Sequence, residues 1–140
     1  MIHPIIKEAR TYIGTPWRHL QRSRSGCDCV GFLMAVGAKF GLDGTEVENY
    51  CRYPIGNSLV DAMRGYLQEI PIADRQIGDF LVFRIYKIPT HVGILSYDNR
   101  FIHAVPEQSI AEVPLDPMWQ RRLVAVFRIS SVRDSDHCAN

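Results

Sequence analysis

The sequence predicts an α+β domain, with N-terminal helices packed on a central antiparallel β-sheet of about five strands. Two observations carry this. Up to about residue 67 the apolar residues recur at helical spacing; after Pro71 they fall into short β-branched or aromatic runs separated by turn residues. A third observation bounds it: 140 residues, 46% of them hydrophobic and 22% charged, suffice for one buried core without disulfide or metal staples.

Taking the elements in order, Ile2, Ile5, Ile6, Ala9 and Ile13 predict a first helix over 2–13, with Gly14 as its stop. The stretch T-P-W-R-H-L-Q-R-S-R-S-G reads as a polar loop in which Arg18, Arg22 and Arg24 are solvated. Asp28 can cap a second helix running to Phe40, and Gly41 can end it. Val30, Phe32, Leu33, Met34 and Val36 make that helix apolar almost all round, so it belongs at the centre. Residues 43–57 read as irregular. Ser58 with Asp61 opens a third helix through about Leu67. Strands then fall on D-F-L-V-F-R-I, H-V-G-I-L-S-Y, F-I-H-A-V, S-I-A-E-V and L-V-A-V-F-R-I, with a turn at Asp98-Asn99. Gly78-Asp79 reads as structural, opening the first of them. One domain over residues 1–129 is expected, followed by a polar tail over 130–140.

The totals exclude several functions. Net charge is +1 with both signs interspersed, which gives no basic field for nucleic acid. No run approaches the ~20 apolar residues of a membrane-spanning helix. The N-terminus M-I-H-P-I-I-K-E-A-R lacks the apolar core of ~7–15 residues that a secretory leader needs. Synthesis and folding in the cytoplasm are therefore expected, with Cys27, Cys29, Cys51 and Cys138 as thiols.

The segment S-G-C-D-C-V-G-F holds the candidate chemistry. Cysteine attacks as thiolate, and the free N–H groups and dipole of a helix start favour negative charge. Cys29, directly after the capping Asp28, sits where that help is available; Cys27 lies before the cap. The plain alternative for Cys29 is a small core hydrophobe. A nucleophilic cysteine also needs a base. Of the five histidines, His3 and His137 lie near the ends and read as solvated, and His19 is in the loop before the cysteine helix. His91 and His103 fall on consecutive strands.

Register decides whether that last pair can act together. A two-residue turn at Asp98-Asn99 puts the two histidines on opposite faces of the sheet. A three-residue loop, Tyr97 to Asn99, sets His103 opposite Gly93 and diagonal to His91, about 7–8 Å away between Cβ atoms. The triad thus demands an odd loop or a bulge, and Gly93 leaves room for close approach. A zinc site made from Cys27, Cys29, His91 and His103 is the competing reading. The C-x-C spacing around a capping residue splays the thiols, so no metal and no cofactor are expected.

G-T-P-W-R-H, G-C-D-C-V-G-F, G-D-F-L-V-F, H-V-G-I and F-I-H-A, in this order, resemble the NlpC-type bacterial cell-wall peptidases, which are compact papain-like enzymes. The resemblance runs from about Ile13 to Ala104, and V-P-L-D-P-M-W-Q-R-R-L-V-A-V-F-R extends it to about Arg128. That last segment looks most like the stand-alone peptidases encoded beside phage and gene-transfer-particle tail genes. The resemblance implies a papain-like NlpC fold, Cys29 as nucleophile, His91 as general base and His103 as the group that orients it. It implies cleavage of peptidoglycan stem peptides between D-glutamate and a diamino acid, through a thioester acyl-enzyme. The Cys29 backbone N–H is the implied oxyanion donor, and Asp28 lies beside it. Many members carry tyrosine where this chain has Trp17, whose indole can donate but not accept; His19 could supply some of the missing polarity, while Trp17 also reads as a core or groove-wall aromatic.

The expected partners are peptidoglycan stem peptides and phage-tail or tail-hub proteins, with delivery to the periplasm or wall by a tail-like particle. Two alternatives share the fold. One is a structural tail-tip component with little or no activity. The other is an injected antibacterial amidase.

Overall fold

The strand-period runs of the second half build one six-stranded antiparallel sheet in the computed structural model, which describes residues 1–42 and 56–129. The readings of 43–57 as irregular and of 130–140 as a tail, and the residues Cys51, His137 and Cys138, lie outside the described residues, apart from Gly56 and Asn57.

Helix α1 is Pro4–Arg10, shorter than its apolar spacing suggested. Proline opens it, and His3 caps it through a ring nitrogen that accepts from the Ile5 N–H at 3.2 Å. Instead of an open loop, the next stretch forms a two-stranded ribbon, β1 (Arg22–Ser23) with β2 (Gly26–Cys27). Arg24 is not simply solvated: it pairs with Glu8 and lies 4.4 Å above the Tyr12 ring. Helix α2 is Cys29–Ala38 with Asp28 as its cap, as expected, and α3 is Ser58–Arg64.

Strand β3 (Gln68–Ile70) was not predicted. The expected strands follow as β4 (Phe80–Ile85), β5 (Ile88–Leu95), β6 (Arg100–Ala104) and β7 (Ile110–Pro114). A short unpredicted helix, α4 (Pro117–Arg122), precedes β8 (Leu123–Arg128). The sheet order is β3-β8-β4-β5-β6-β7, so the last strand returns to the middle. Asp79 holds that return: its buried carboxylate takes two hydrogen bonds from Arg128, at 2.7 and 2.8 Å, and one from the Gln76 N–H.

The alternation of side chains gives the sheet two different faces. Phe80, Val82, Val92, Ile94, Ile102, Ala104 and Phe127 pack under α1, α2 and α3 in the larger core. Leu81, Phe83, Leu95, Phe101 and Val126 point the other way, into a smaller cluster reached by Trp119 of α4.

Candidate active site

The cap of α2 sets the position of the thiol. Asp28 Oδ1 accepts from the Gly31 N–H at 2.7 Å, and its Oδ2 accepts from the Leu20 N–H at 2.8 Å. His19 Nδ1 lies 3.4 Å from the same Oδ2. The loop presses on the first turn so closely that a Cβ on Gly31 would stand 1.9 Å from the Gln21 carbonyl oxygen. Cys29 is half-buried, and its Sγ is 3.9 Å from the carbonyl oxygen of Thr90, the residue before His91 on β5.

The thiol does not ionise as its helix position suggested. Burial, then the charge of Asp28, push it up to about 12, against the pull of the Val92, Val30 and Cys29 N–H groups. Magnitudes explain the reversal. A helix terminus offers a charge at most ~2 kcal/mol. Desolvation can move a buried group by up to ~3–5 pKa units, or about 4–7 kcal/mol.

The strand register takes the odd-loop form. Ile94 pairs with Ile102 and Leu95 with Phe101, and the Ser96 N–H donates to the Arg100 carbonyl, which leaves Tyr97, Asp98 and Asn99 as the loop. Asp98 and Asn99 both adopt left-handed backbone, at φ 56° and 54°. His103 therefore lies beside Gly93, where an added Cβ would stand 3.2 Å from the His103 Cβ and 2.9 Å from the Ile102 carbonyl oxygen. The two rings meet: His91 Nε2 and His103 Nδ1 are 2.7 Å apart, with the ring planes nearly perpendicular. Both histidines are about 95% buried, at 5% and 4% exposure. Burial holds both well below the ordinary histidine value, and His103 adds to the effect on His91. Both are neutral near pH 7.

The thiol and the imidazoles come from opposite sides of the sheet. Helix α2 covers the large-core face, whereas His91 shares the other face with Phe83, Phe101 and Trp119. They converge on β5 at Thr90-His91. Among the described residues no hydrogen bond joins Cys29 Sγ to either ring.

Trp119 was missed in the sequence. Its indole sits 5.6 Å from the His91 ring and 5.4 Å from the His103 ring, centre to centre. Asp116 before Pro117 was the available signal: the carboxylate caps α4 by accepting from the Trp119 N–H at 3.0 Å.

Trp17 is partly buried against the large core, stacks on His19 at 6.3 Å, and donates its backbone N–H to the Gln108 carbonyl. His19 is exposed and meets the site through Asp28. Cys27 is buried, and its thiol donates to the Ser23 carbonyl at 3.0 Å. Among the described residues no three potential metal ligands come together. His3 is a helix cap, not a solvated end residue, and burial lowers its pKa.

A model of the NlpC/P60 family matches residues 14–128. The chain belongs to the NlpC/P60 family. Among NlpC/P60 relatives, a probable peptidoglycan endopeptidase of Bacillus subtilis, LytE, is 30% identical over 105 residues, covering 74% of this chain and 27% of LytE. The chain thus spans about a quarter of that curated relative's length. The crystal structure of the NlpC/p60 domain of the peptidoglycan hydrolase SagA superposes with a TM-score of 0.62 at 21% identity, over 89% of this chain and 96% of that one. A lipoprotein-like NLP/P60 family protein of Staphylococcus aureus gives 0.61 at 26% identity, over 90% and 40%. These neighbours share the α+β fold described above.

Proposed function

We propose that this NlpC/P60 chain is a cysteine endopeptidase that cuts stem-peptide amide bonds of peptidoglycan, of the D-glutamyl–diamino acid type. The observation that carries the reading is the 2.7 Å hydrogen bond between two buried imidazoles, next to the strand position that the Cys29 thiol touches. The names of the B. subtilis relative and of SagA support the substrate class.

Cys29 is the nucleophile, His91 the base and His103 its orienter. The hydrogen bond allows either ring to donate, and the base role of His91 chooses between the two tautomers. His91 must carry its proton on Nε2 and donate to His103 Nδ1, which leaves His91 Nδ1 as an acceptor for the thiol proton. With the thiol raised and the imidazoles lowered, the resting site is a neutral pair. As Sγ attacks the amide carbonyl, His91 takes the thiol proton. It then gives that proton to the leaving amine as the C–N bond breaks, leaving a thioester that water hydrolyses. The Cys29 backbone N–H at the start of α2 is the oxyanion donor. Asp28 sets the helix start, and Trp17 and His19 flank it on the substrate side.

Wild-type protein, under reducing conditions, is expected to release new amino groups from purified peptidoglycan, and Cys29→Ser to fold alike and release none. Equal release by both proteins contradicts the assignment.

Delivery by a phage-like tail to the periplasm or cell wall is the accompanying proposal. It rests on the resemblance of V-P-L-D-P-M-W-Q-R-R-L-V-A-V-F-R to tail-associated peptidases. Purified particles from the producing cell should contain the protein, and Cys29→Ala should still assemble into them. Particles that lack it would remove this route.

A further inference from the structure

We infer that Trp119 is a positioning residue for the imidazole pair, acting through His91 and His103 and not through substrate. This rests on the roles just assigned to those histidines and adds a residue to them.

The geometry is that of a box closed on one side by the indole. Phe83 of β4 lies 6.2 Å from His91, and Phe101 of β6 lies 4.5 Å from His103. Trp119 touches all four rings, at 5.0 Å from Phe83 and 5.3 Å from Phe101, besides the two histidines. It is the only side chain of α4 packed into this cluster among the described residues. The helix that carries it is pinned at its start. Asp116 caps it, the Gln120 side chain donates to the Leu115 carbonyl at 2.8 Å, and Asn99 donates to the same carbonyl at 3.2 Å. Asn99 belongs to the odd loop that sets the His103 register, so one loop fixes both the ring and its cover.

Few polar groups face the pair. From β5 and β6, among the described residues, the polar side chains in contact with the pair are the two imidazoles themselves. Phe83 comes from β4, and Trp119 comes from α4 with the Arg122 guanidinium 5.5 Å from the indole centre. From α2 the Cys29 thiol reaches Thr90, with Asp28 behind it. No carboxylate contacts either ring among the described residues. Each imidazole nitrogen in the shared bond thus has the other ring as its partner, in surroundings made dry by three aromatic rings. Without the indole, water can compete for Nε2 of His91 and Nδ1 of His103. The rings are then free to turn, and the acceptor nitrogen of His91 loses its aim.

The test reads the imidazoles and the activity separately. In Cys29→Ala protein, NMR titration of the two rings should give midpoints well below 6.5, and adding Trp119→Ala should raise them by about one unit or more toward that ordinary value. In otherwise wild-type protein, Trp119→Ala should lower kcat on peptidoglycan by roughly 10- to 100-fold, with KM changed less than about twofold. Trp119→Phe should keep both titrations and kcat near the parent, while Met118→Ala, on the exposed side of the same helix, should change neither. If Trp119→Ala fails to fold, Trp119→Leu carries the test, because leucine fills space without stacking a ring. A folded Trp119→Ala or Trp119→Leu protein with unmoved titrations overturns the inference, whatever its activity. Shifted titrations in a protein whose wild type never cleaves peptidoglycan would support the positioning role and remove the hydrolase reading alone.

Discussion

The two faces of the central sheet are built from the same five long strands and serve different ends. The face under α1, α2 and α3 buries mainly apolar side chains such as Val82, Ile94, Ile102 and Phe127, with Ser96 bonded to Glu112 at its edge. The face toward α4 has a smaller apolar cluster, and set into it are the two buried histidines and Trp119. A polar pair is tolerated there because each ring satisfies the other at 2.7 Å. The comparison teaches that one sheet can carry a large apolar core on one face and a buried imidazole pair on the other, with adjacent residues of one strand contributing to each. On β5, Val92 packs under α2 while His91 faces the aromatic box.

The largest expected effect lies on the chemical face. His91→Ala should lower kcat/KM on peptidoglycan by about 10³- to 10⁴-fold with little change in thermal midpoint, because it removes the proposed base. His103→Ala should cost less, about 10- to 100-fold, since it removes only the orienting partner. Equal losses in a kinetic comparison would erase the distinction between base and orienter. On the other face the pattern should invert. Phe127 is fully buried, and Phe127→Ala should cost about 3–5 kcal/mol in chemical denaturation while leaving activity per folded molecule within a few-fold.

Gly93→Ala is expected to disturb both. Its new Cβ would meet the Ile102 carbonyl oxygen at 2.9 Å and the Phe101 ring at 2.9 Å, so β6 must move. A loss of about 1–3 kcal/mol in denaturation is expected. With it should come a drop in activity larger than that of the equally conservative Ala125→Gly.

The pH dependence of stability on the acid side should report chiefly the two strand histidines, with a smaller share from His3, whose pKa burial also lowers. The folded values, about 3 for His91 and about 4 for His103, lie below the unfolded value of 6.5. The unfolded chain therefore binds more protons in that window. Stability is full above pH 6.5 and is lost as pH falls through that value toward 4. Urea midpoints should drop by the equivalent of about 4 kcal/mol between pH 7 and pH 5, about 2 from each histidine. In a His91→Ala, His103→Ala double variant most of that drop should vanish.

Much of this was legible in the sequence where local rules decide. The apolar run after Asp28 marked α2 and its cap, and the period-two runs marked β4 to β8. The Asp98-Asn99 signal marked a turn but left its length open: two residues would have parted the histidines, and the three-residue loop, for which Gly93 leaves room, brings them together. Strand β3 was hidden because its three residues, Gln68, Glu69 and Ile70, carry one apolar side chain and owe their pairing to β8. Trp119 was hidden because α4 is six residues long and has a single inward side chain. The protonation of Cys29 was misread for a related reason. The helix start is written locally, but the packing of β5 over the sulfur depends on residues more than sixty positions away.

The most direct measurement is mass spectrometry of muropeptides after incubation with wild-type protein and with Cys29→Ala. The account predicts that wild type alone yields peptides newly beginning at the diamino acid. The same products from the alanine variant, or intact stem peptides from a reduced and folded wild type, would contradict it.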